Sequence, residues 1–189
     1  AWHAGYTGYL DTIGLRGADV ICKVASITPD TAFHIVGGEP HIVDYWVRYA
    51  KNYNHNNNIF FYGHRKPKEM PLFLKCFDVA LAPLQLITSD SAPSGMNMSP
   101  LKIPQYMSYG KAIVASDLKS HRELLTHNKT AILVSPQSKD EWSKAIRSLL
   151  KNSEKRIKMG ELAKKRYYEE FTPEKRVKTI FQPSKVEST

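Results

Sequence analysis

The sequence contains no run of 18 consecutive apolar residues, so no transmembrane helix is expected. Cysteine is scarce. Cys22 and Cys76 lie far apart within apolar patterns, with no CxxC and no paired-histidine spacing suited to zinc. Two buried, reduced thiols in a reducing compartment are expected, and no structural metal. No GxGxxG follows the first strand-like run with an acidic residue about 20 positions on, which argues against a nicotinamide-dependent dehydrogenase. No internal repeat is present. The opening Ala1-Trp2-His3-Ala4-Gly5 lacks a basic segment, a long apolar stretch and an initiator Met, so the chain reads as a fragment or a processed form. Acidic residues are outnumbered, 18 against 27 basic, for a net charge of +9. Residues 137–189 carry six of those excess positive charges, spread around helices and not interleaved with aromatic residues as base stacking would require. No nucleic-acid partner is expected. A solvated basic surface fits best, with attraction to an anionic membrane next.

What is present suits one domain with a sizeable core, since 42% of the residues are hydrophobic. Short apolar runs alternate with helical patterns. HAGYTGY (3–9), FHIVGG (33–38), NIFFYGH (58–64), DVALAPL (78–84), KAIVASD (111–117) and TAILVSP (130–136) read as strands ending in Gly, Pro, Ser, Asp or polar residues. Their nearly continuous apolarity suits strands buried on both faces of a parallel sheet. Helical spacing appears at 18–27, 41–53 and 68–77, with Pro71 in the first turn of the last. Ser138 and Glu141 form a capping-box pattern, Ser153 starts another helix, and Thr172-Pro173 starts a third. The alternation predicts an α/β fold, a Rossmann-like open parallel sheet flanked by helices. Its ligands would bind at the carboxyl edge of the strands. Glycines gather there at Gly5 to Gly8, Gly37-Gly38 and Gly63-His64-Arg65. The loop 84–100 is expected to be irregular, and loops of its length are often functional or mobile. NYNHNNN (52–58) reads as a surface loop without chemistry.

The stretch SPLKIPQYMSYGKAIVAS (99–116) joins a loop, a short helix and a strand. Ser99 suits an N-cap and Pro100 the first helical position, so free N–H groups and the helix dipole would favour an anion there. Lys102 would add a full positive charge. The same residues also read as a plainly capped helix with a solvent-exposed lysine. Pro104 removes a backbone bond, so either the first turn is distorted or the regular helix begins nearer Pro104. Gln105 lies a turn further on, Tyr106 and Met107 face the core, and Gly110 stops the helix. Arg16-Gly17 opens the first helix, with Arg16 able to reach the same edge.

Taken together, GYTGYL…LRGADV, FHIVGG, FFYGH, CFDVALAPL, SPLKIPQYMSYGKAIVASD, RELLTHNKTAILVSP and FTPEKR resemble the C-terminal, donor-binding domain of retaining glycosyltransferases of the GT-B fold, family four. The resemblance spans essentially the whole chain, 1–189, and is most specific over 99–116. It implies a single nucleotide-sugar-binding domain, with the N-terminal acceptor domain lying outside these residues. It implies transfer of a sugar, of hexosyltransferase type, from a nucleotide diphosphate sugar to a glycan or lipid-linked acceptor in polysaccharide biosynthesis. Little transfer is expected from this domain alone. No metal or other cofactor is implied, since positive side chains and helix dipoles usually offset the diphosphate in this fold.

Residue by residue, Arg16 stands where a lysine commonly binds diphosphate, and Lys102 supplies the charge missing where Gly8-Tyr9-Leu10 replaces Gly-Arg-Leu. These two are the expected catalytic residues. Gln105 occupies the place of a ribose-binding glutamate, and Asn97 that of a sugar-contacting one. Met98, Ser99, Pro100 and Leu101 would contribute around the sugar and diphosphate, Gly8 at the first loop, and Gly63, His64 and Arg65 at the base. Glu123 matches a glutamate of structural role. A cytoplasmic location, with possible attachment at the inner face of a membrane, is the accompanying expectation. The neutral residues at 97 and 105 motivate an alternative, a non-catalytic sugar-nucleotide-binding or scaffold domain of the same fold.

Overall fold

The computed structural model describes residues 2–53, 56–85, 87–89, 92–94, 101–175 and 177. Six parallel strands form the central sheet in the order β3-β2-β1-β4-β7-β8: β1 (Trp2–Thr7), β2 (Thr31–Val36), β3 (Ile59–Gly63), β4 (Val79–Ala82), β7 (Ala112–Ser116) and β8 (Ile132–Val134). The register sets Ala4 opposite Phe33 on one side of β1 and opposite Val79 on the other. The order therefore reverses at β1, which leaves a crevice at the carboxyl ends of β1 and β4. The Rossmann-like open sheet expected from the alternation is the observed architecture.

Strand periodicity of two sends alternate residues to two cores. On one face α1 (Ala18–Ser26), α2 (Pro40–Tyr53) and α6 (Lys139–Lys151) pack Ile21, Trp46, Trp142 and Ile146 against Ala4, Tyr6, Phe33, Leu81 and Val114. On the other, α3 (Met70–Cys76), α4 (Lys102–Ser108) and α7 (Ser153–Arg166) pack Leu74, Ile103, Met107 and Ala163 against Ala80, Ala82, Ile113 and Ala115. A short α5 (Lys119–Arg122) links β7 to β8. β4 and β7 are buried throughout, as their apolarity requires. β3 is not: it is one edge of the sheet, and Phe60 remains 45% exposed.

Several local expectations need revision. The 84–100 segment is not wholly irregular, since β5 (Ile87–Ser89) and β6 (Ala92–Ser94) pair as an antiparallel hairpin. Cys22 is buried but Cys76, the last residue of α3, is exposed. The Asn-rich loop is structural at its end. Asn58 is buried, and its amide donates to the carbonyls of Ala25 (3.2 Å), Thr28 (3.0 Å) and Thr31 (2.9 Å), holding the turn between α1 and β2. Only half of the capping box forms: Ser138 Oγ accepts from the Glu141 N–H at 3.3 Å, while the Glu141 carboxylate accepts from Ser135 N–H instead. By contrast, α7 does start at Ser153, with Asn152 before it as the N-cap, its side chain accepting from Lys155 N–H at 2.9 Å. After a π turn at Tyr167–Phe171, helical backbone follows at 173–175, and most of the helix expected from Thr172-Pro173 lies outside the described residues.

Candidate functional site

A cavity of about 670 Å³ opens at the carboxyl edge of the sheet, where the strand order reverses. Thr7, Gly8 and Tyr9 come to it from the end of β1, Gly37, Gly38 and Glu39 from the end of β2, and His64 and Arg65 from the end of β3. Leu101, Lys102 and Gln105 come from the start of α4, and Arg16 from the loop before α1.

Close backbone approach builds its floor. Gly8 N–H donates to Val36 O at 3.0 Å and Gly37 N–H to Gly63 O at 2.8 Å, so the ends of β1, β2 and β3 are tied in a row. Gly37 adopts φ +129°, and a Cβ there would overlap the Gly8 carbonyl oxygen. Only glycine fits both the conformation and the space.

Helix α4 is anchored by Tyr106, which is fully buried. Its hydroxyl accepts from Thr7 N–H at 2.8 Å and from Thr7 Oγ1 at 3.2 Å. Burial raises this phenol to about 12, so it stays protonated, even though its bonds to Thr7 act the other way. The anchor sets Lys102, one turn earlier, over the end of β1. Lys102 keeps some exposure as a residue, but its ammonium lies 4.0 Å from the centroid of the fully buried Tyr6 ring. A Cβ on Gly8 would sit 3.5 Å from that nitrogen. Burial, and secondarily the Arg16 charge, pull the Lys102 pKa down to about 7, while Asp11 opposes them. A desolvated cation beside a second cation is a place where an anion would relieve both costs.

Arg16 is set by Asp11. The Asp11 carboxylate accepts the N–H groups of Leu15 and Arg16, each at 3.1 Å, and lies 3.8 Å from the Arg16 guanidinium. Asp11 O in turn accepts Trp46 Nε1–H at 2.8 Å, pinning the loop to α2. The guanidinium stands 5.7 Å from the exposed Tyr9 ring. Tyr9 thus carries Arg16 on its face.

Of the residues singled out in the sequence, Gly8, Arg16, His64, Arg65, Leu101, Lys102 and Gln105 converge on this cavity from four segments. Gly63 lies beneath it, accepting from Gly37. Asn97, Met98, Ser99 and Pro100 lie outside the described residues. The helix expected from Ser99 runs over Lys102–Ser108, after Leu101, with no side-chain cap at Leu101. Pro104 therefore falls in its first turn, where its missing N–H costs nothing. Gly110 ends it as expected, at φ +64° and donating to Met107 O at 2.9 Å. Sequence reasoning missed Glu39, Asp11 and the role of Tyr106. Glu39 was legible only as the residue after a glycine pair. Among the described residues no three His, Cys, Asp or Glu side chains gather as a metal site would need, and no helix is long and apolar enough to cross a membrane.

The family model described as Glycosyl transferases group 1 matches residues 15–166. No curated protein matches the sequence. Among solved structures, HepE of Anabaena in complex with UDP-glucose is 18% identical with a TM-score of 0.73, over 89% of this chain and 44% of that one. Sucrose-phosphate synthase of Thermosynechococcus elongatus is 18% identical with a TM-score of 0.80, over 95% of this chain and 43% of that one. The C-terminal domain of LpcC, a glycosyl transferase group 1 family protein of Francisella tularensis, is 16% identical with a TM-score of 0.72, over 91% and 87% of the two chains. The chain thus spans less than half the length of the first two and most of the third. At these identities the likeness is one of fold.

Proposed function

The chain belongs to the glycosyl transferases group 1 family, and from that premise we propose that it is the donor-binding half of a retaining glycosyltransferase of the GT-B type. The observation that carries the reading is the convergence of two cations, a polar amide side chain and a basic loop on one cavity at the strand edge. Lys102 and Arg16 bind the diphosphate of a nucleotide sugar, Gln105 helps to hold the ribose, and Gly63, His64 and Arg65 border the base. Leu101 lies at the rim. Asn97, Met98, Ser99 and Pro100 complete the sugar side. HepE was solved with UDP-glucose, which fits a donor of this class.

As the bond from the anomeric carbon to the diphosphate breaks, negative charge grows on the leaving oxygen. Two preplaced cations in a partly dehydrated site stabilise it more than the neutral ground state of that bond, which lowers the barrier. The reading assigns this work to side chains and not to a divalent metal. The acceptor, a glycan or a lipid-linked glycan, comes with a second domain, so this domain alone binds donor and transfers little. Thermal shift with UDP-, GDP- and ADP-sugars tests the reading. Saturation at 100 times the dissociation constant adds about 2.7 kcal/mol, and one base should stand out. No shift with any nucleotide, in this chain or in the two-domain protein, refutes it.

The neutral Gln105 favours a second reading, a sugar-nucleotide-binding domain without transfer. Gln105→Glu with Asn97→Glu in the two-domain protein separates the readings, since a large gain in transfer indicates a decayed site and a loss a specialised one. Peripheral attachment to an anionic membrane through the basic α6–α7 surface is also proposed, and is refuted if charge reversal there leaves vesicle binding unchanged.

A further inference from the structure

Among the described residues one carboxylate lines the cavity, and the roles assigned above leave it unused. Glu39 follows the glycine pair at the end of β2 and lines the same cavity as Gln105. Its carbonyl accepts the N–H groups of Ile42 (3.0 Å) and Val43 (2.9 Å), so its main chain is fixed at the start of α2 while the residue stays exposed. Arg16, Arg65 and Lys102 share the cavity, yet among the described residues Glu39 forms an ion pair with none of them.

A ribose offers two neighbouring hydroxyl donors. A carboxylate meets both with two charged acceptor oxygens, whereas an amide offers one neutral acceptor oxygen and turns an N–H donor to the second hydroxyl, whose own O–H then lacks that acceptor. Hydrogen bonds to a charged acceptor are also roughly twice as strong as neutral ones. Gln105 is therefore an incomplete partner for a diol. In doubly wound sheets an acidic residue downstream of the first glycine loop holds the ribose of a dinucleotide. Here the chain brings Glu39 to that edge from the end of β2.

We infer that Glu39 is the carboxylate that binds the ribose diol of the donor nucleotide, opposite Gln105, and that it sets the preference for a ribonucleotide. This rests on the nucleotide-sugar reading. The test is calorimetric titration of this chain with UDP, GDP and ADP, then with the 2′,3′-dideoxy form of whichever binds. The wild type should prefer the ribonucleotide at least about tenfold. Glu39→Gln should lose about tenfold in affinity for the ribonucleotide and little for the dideoxy form, and adding Gln105→Glu should restore the preference. Because Glu39 serves α2 through its main chain, the variant should keep the wild-type circular dichroism and melting temperature. If neither this chain nor the two-domain protein binds any of the three diphosphates, the nucleotide reading falls and this inference with it. If the wild type discriminates and Glu39→Gln discriminates equally, or binds both forms more tightly, the inference alone is overturned.

Discussion

Lys102→Met should make the protein more stable and at the same time unable to bind a nucleoside diphosphate. The side chain is replaced at nearly constant shape, so packing changes little. What is removed is an ammonium drawn off water onto the Tyr6 ring, with its pKa lowered from 10.5 to about 7. Between those values the unfolded chain binds the proton and the folded chain does not, so wild-type stability rises as pH climbs from about 7 to 10.5. Below about 7 both states are charged and the whole desolvation cost is present. At pH 7 that cost is roughly 4 kcal/mol. The gain for Lys102→Met is then up to about 4 kcal/mol at pH 7, largest at and below that pH and vanishing toward 10.5. Urea denaturation at several pH values measures it. A diphosphate reverses the balance by pairing with the charged form, so wild-type binding should take up a proton and weaken as pH rises from 7 to 9. A variant that is less stable than wild type at pH 7, or a gap that does not change with pH, would refute the reasoning. Stabilisation with undiminished UDP, GDP or ADP binding would remove Lys102 from the site.

Three further outcomes follow from particular contacts. Tyr106→Phe strips the buried Thr7 N–H of its 2.8 Å acceptor and frees α4 from β1; it should cost about 1–3 kcal/mol in urea denaturation and weaken nucleotide binding. Asn58→Ala leaves three carbonyls of the α1–β2 turn without their shared donor; a loss of about 2–3 kcal/mol is expected, with nucleotide affinity per folded molecule unchanged. His121 is buried and its Nδ1 bonds Ser116 O at 2.7 Å, while burial, above all, lowers its pKa from 6.5 to about 4. The unfolded chain takes up this proton first, so stability should fall as pH drops from 6.5 to 4, and His121→Leu should flatten that slope in acid denaturation.

The strand runs 78–84 and 111–117 were legible because a strand covered on both faces must be apolar at every position, and β4 and β7 are. NIFFYGH carries the same signal, yet β3 lies at the edge and exposes Phe60, because local apolarity does not encode strand order. Asn58 looked like part of a polar loop, since nothing local announces three carbonyls brought in from 25, 28 and 31.

Local sequence sufficed for the alternation of strands and helices, the glycines that end β1, β2 and β3, the stop at Gly110, and several of the polar residues that reach the edge. These depend on local propensity, on a period of two or 3.6, and on backbone conformations that glycine adopts freely. Packing of the whole chain is what brings Arg16, Lys102, Gln105, Glu39, His64 and Arg65 into one cavity. It also decided that Lys102 lies over Tyr6 and is pulled toward neutrality, and that Tyr106 holds the helix carrying it. The physical reason is that parallel strands must be joined by crossovers, which carry residues distant in sequence to one edge. Desolvation and charge proximity arise only there, from the packing of segments that the sequence keeps apart.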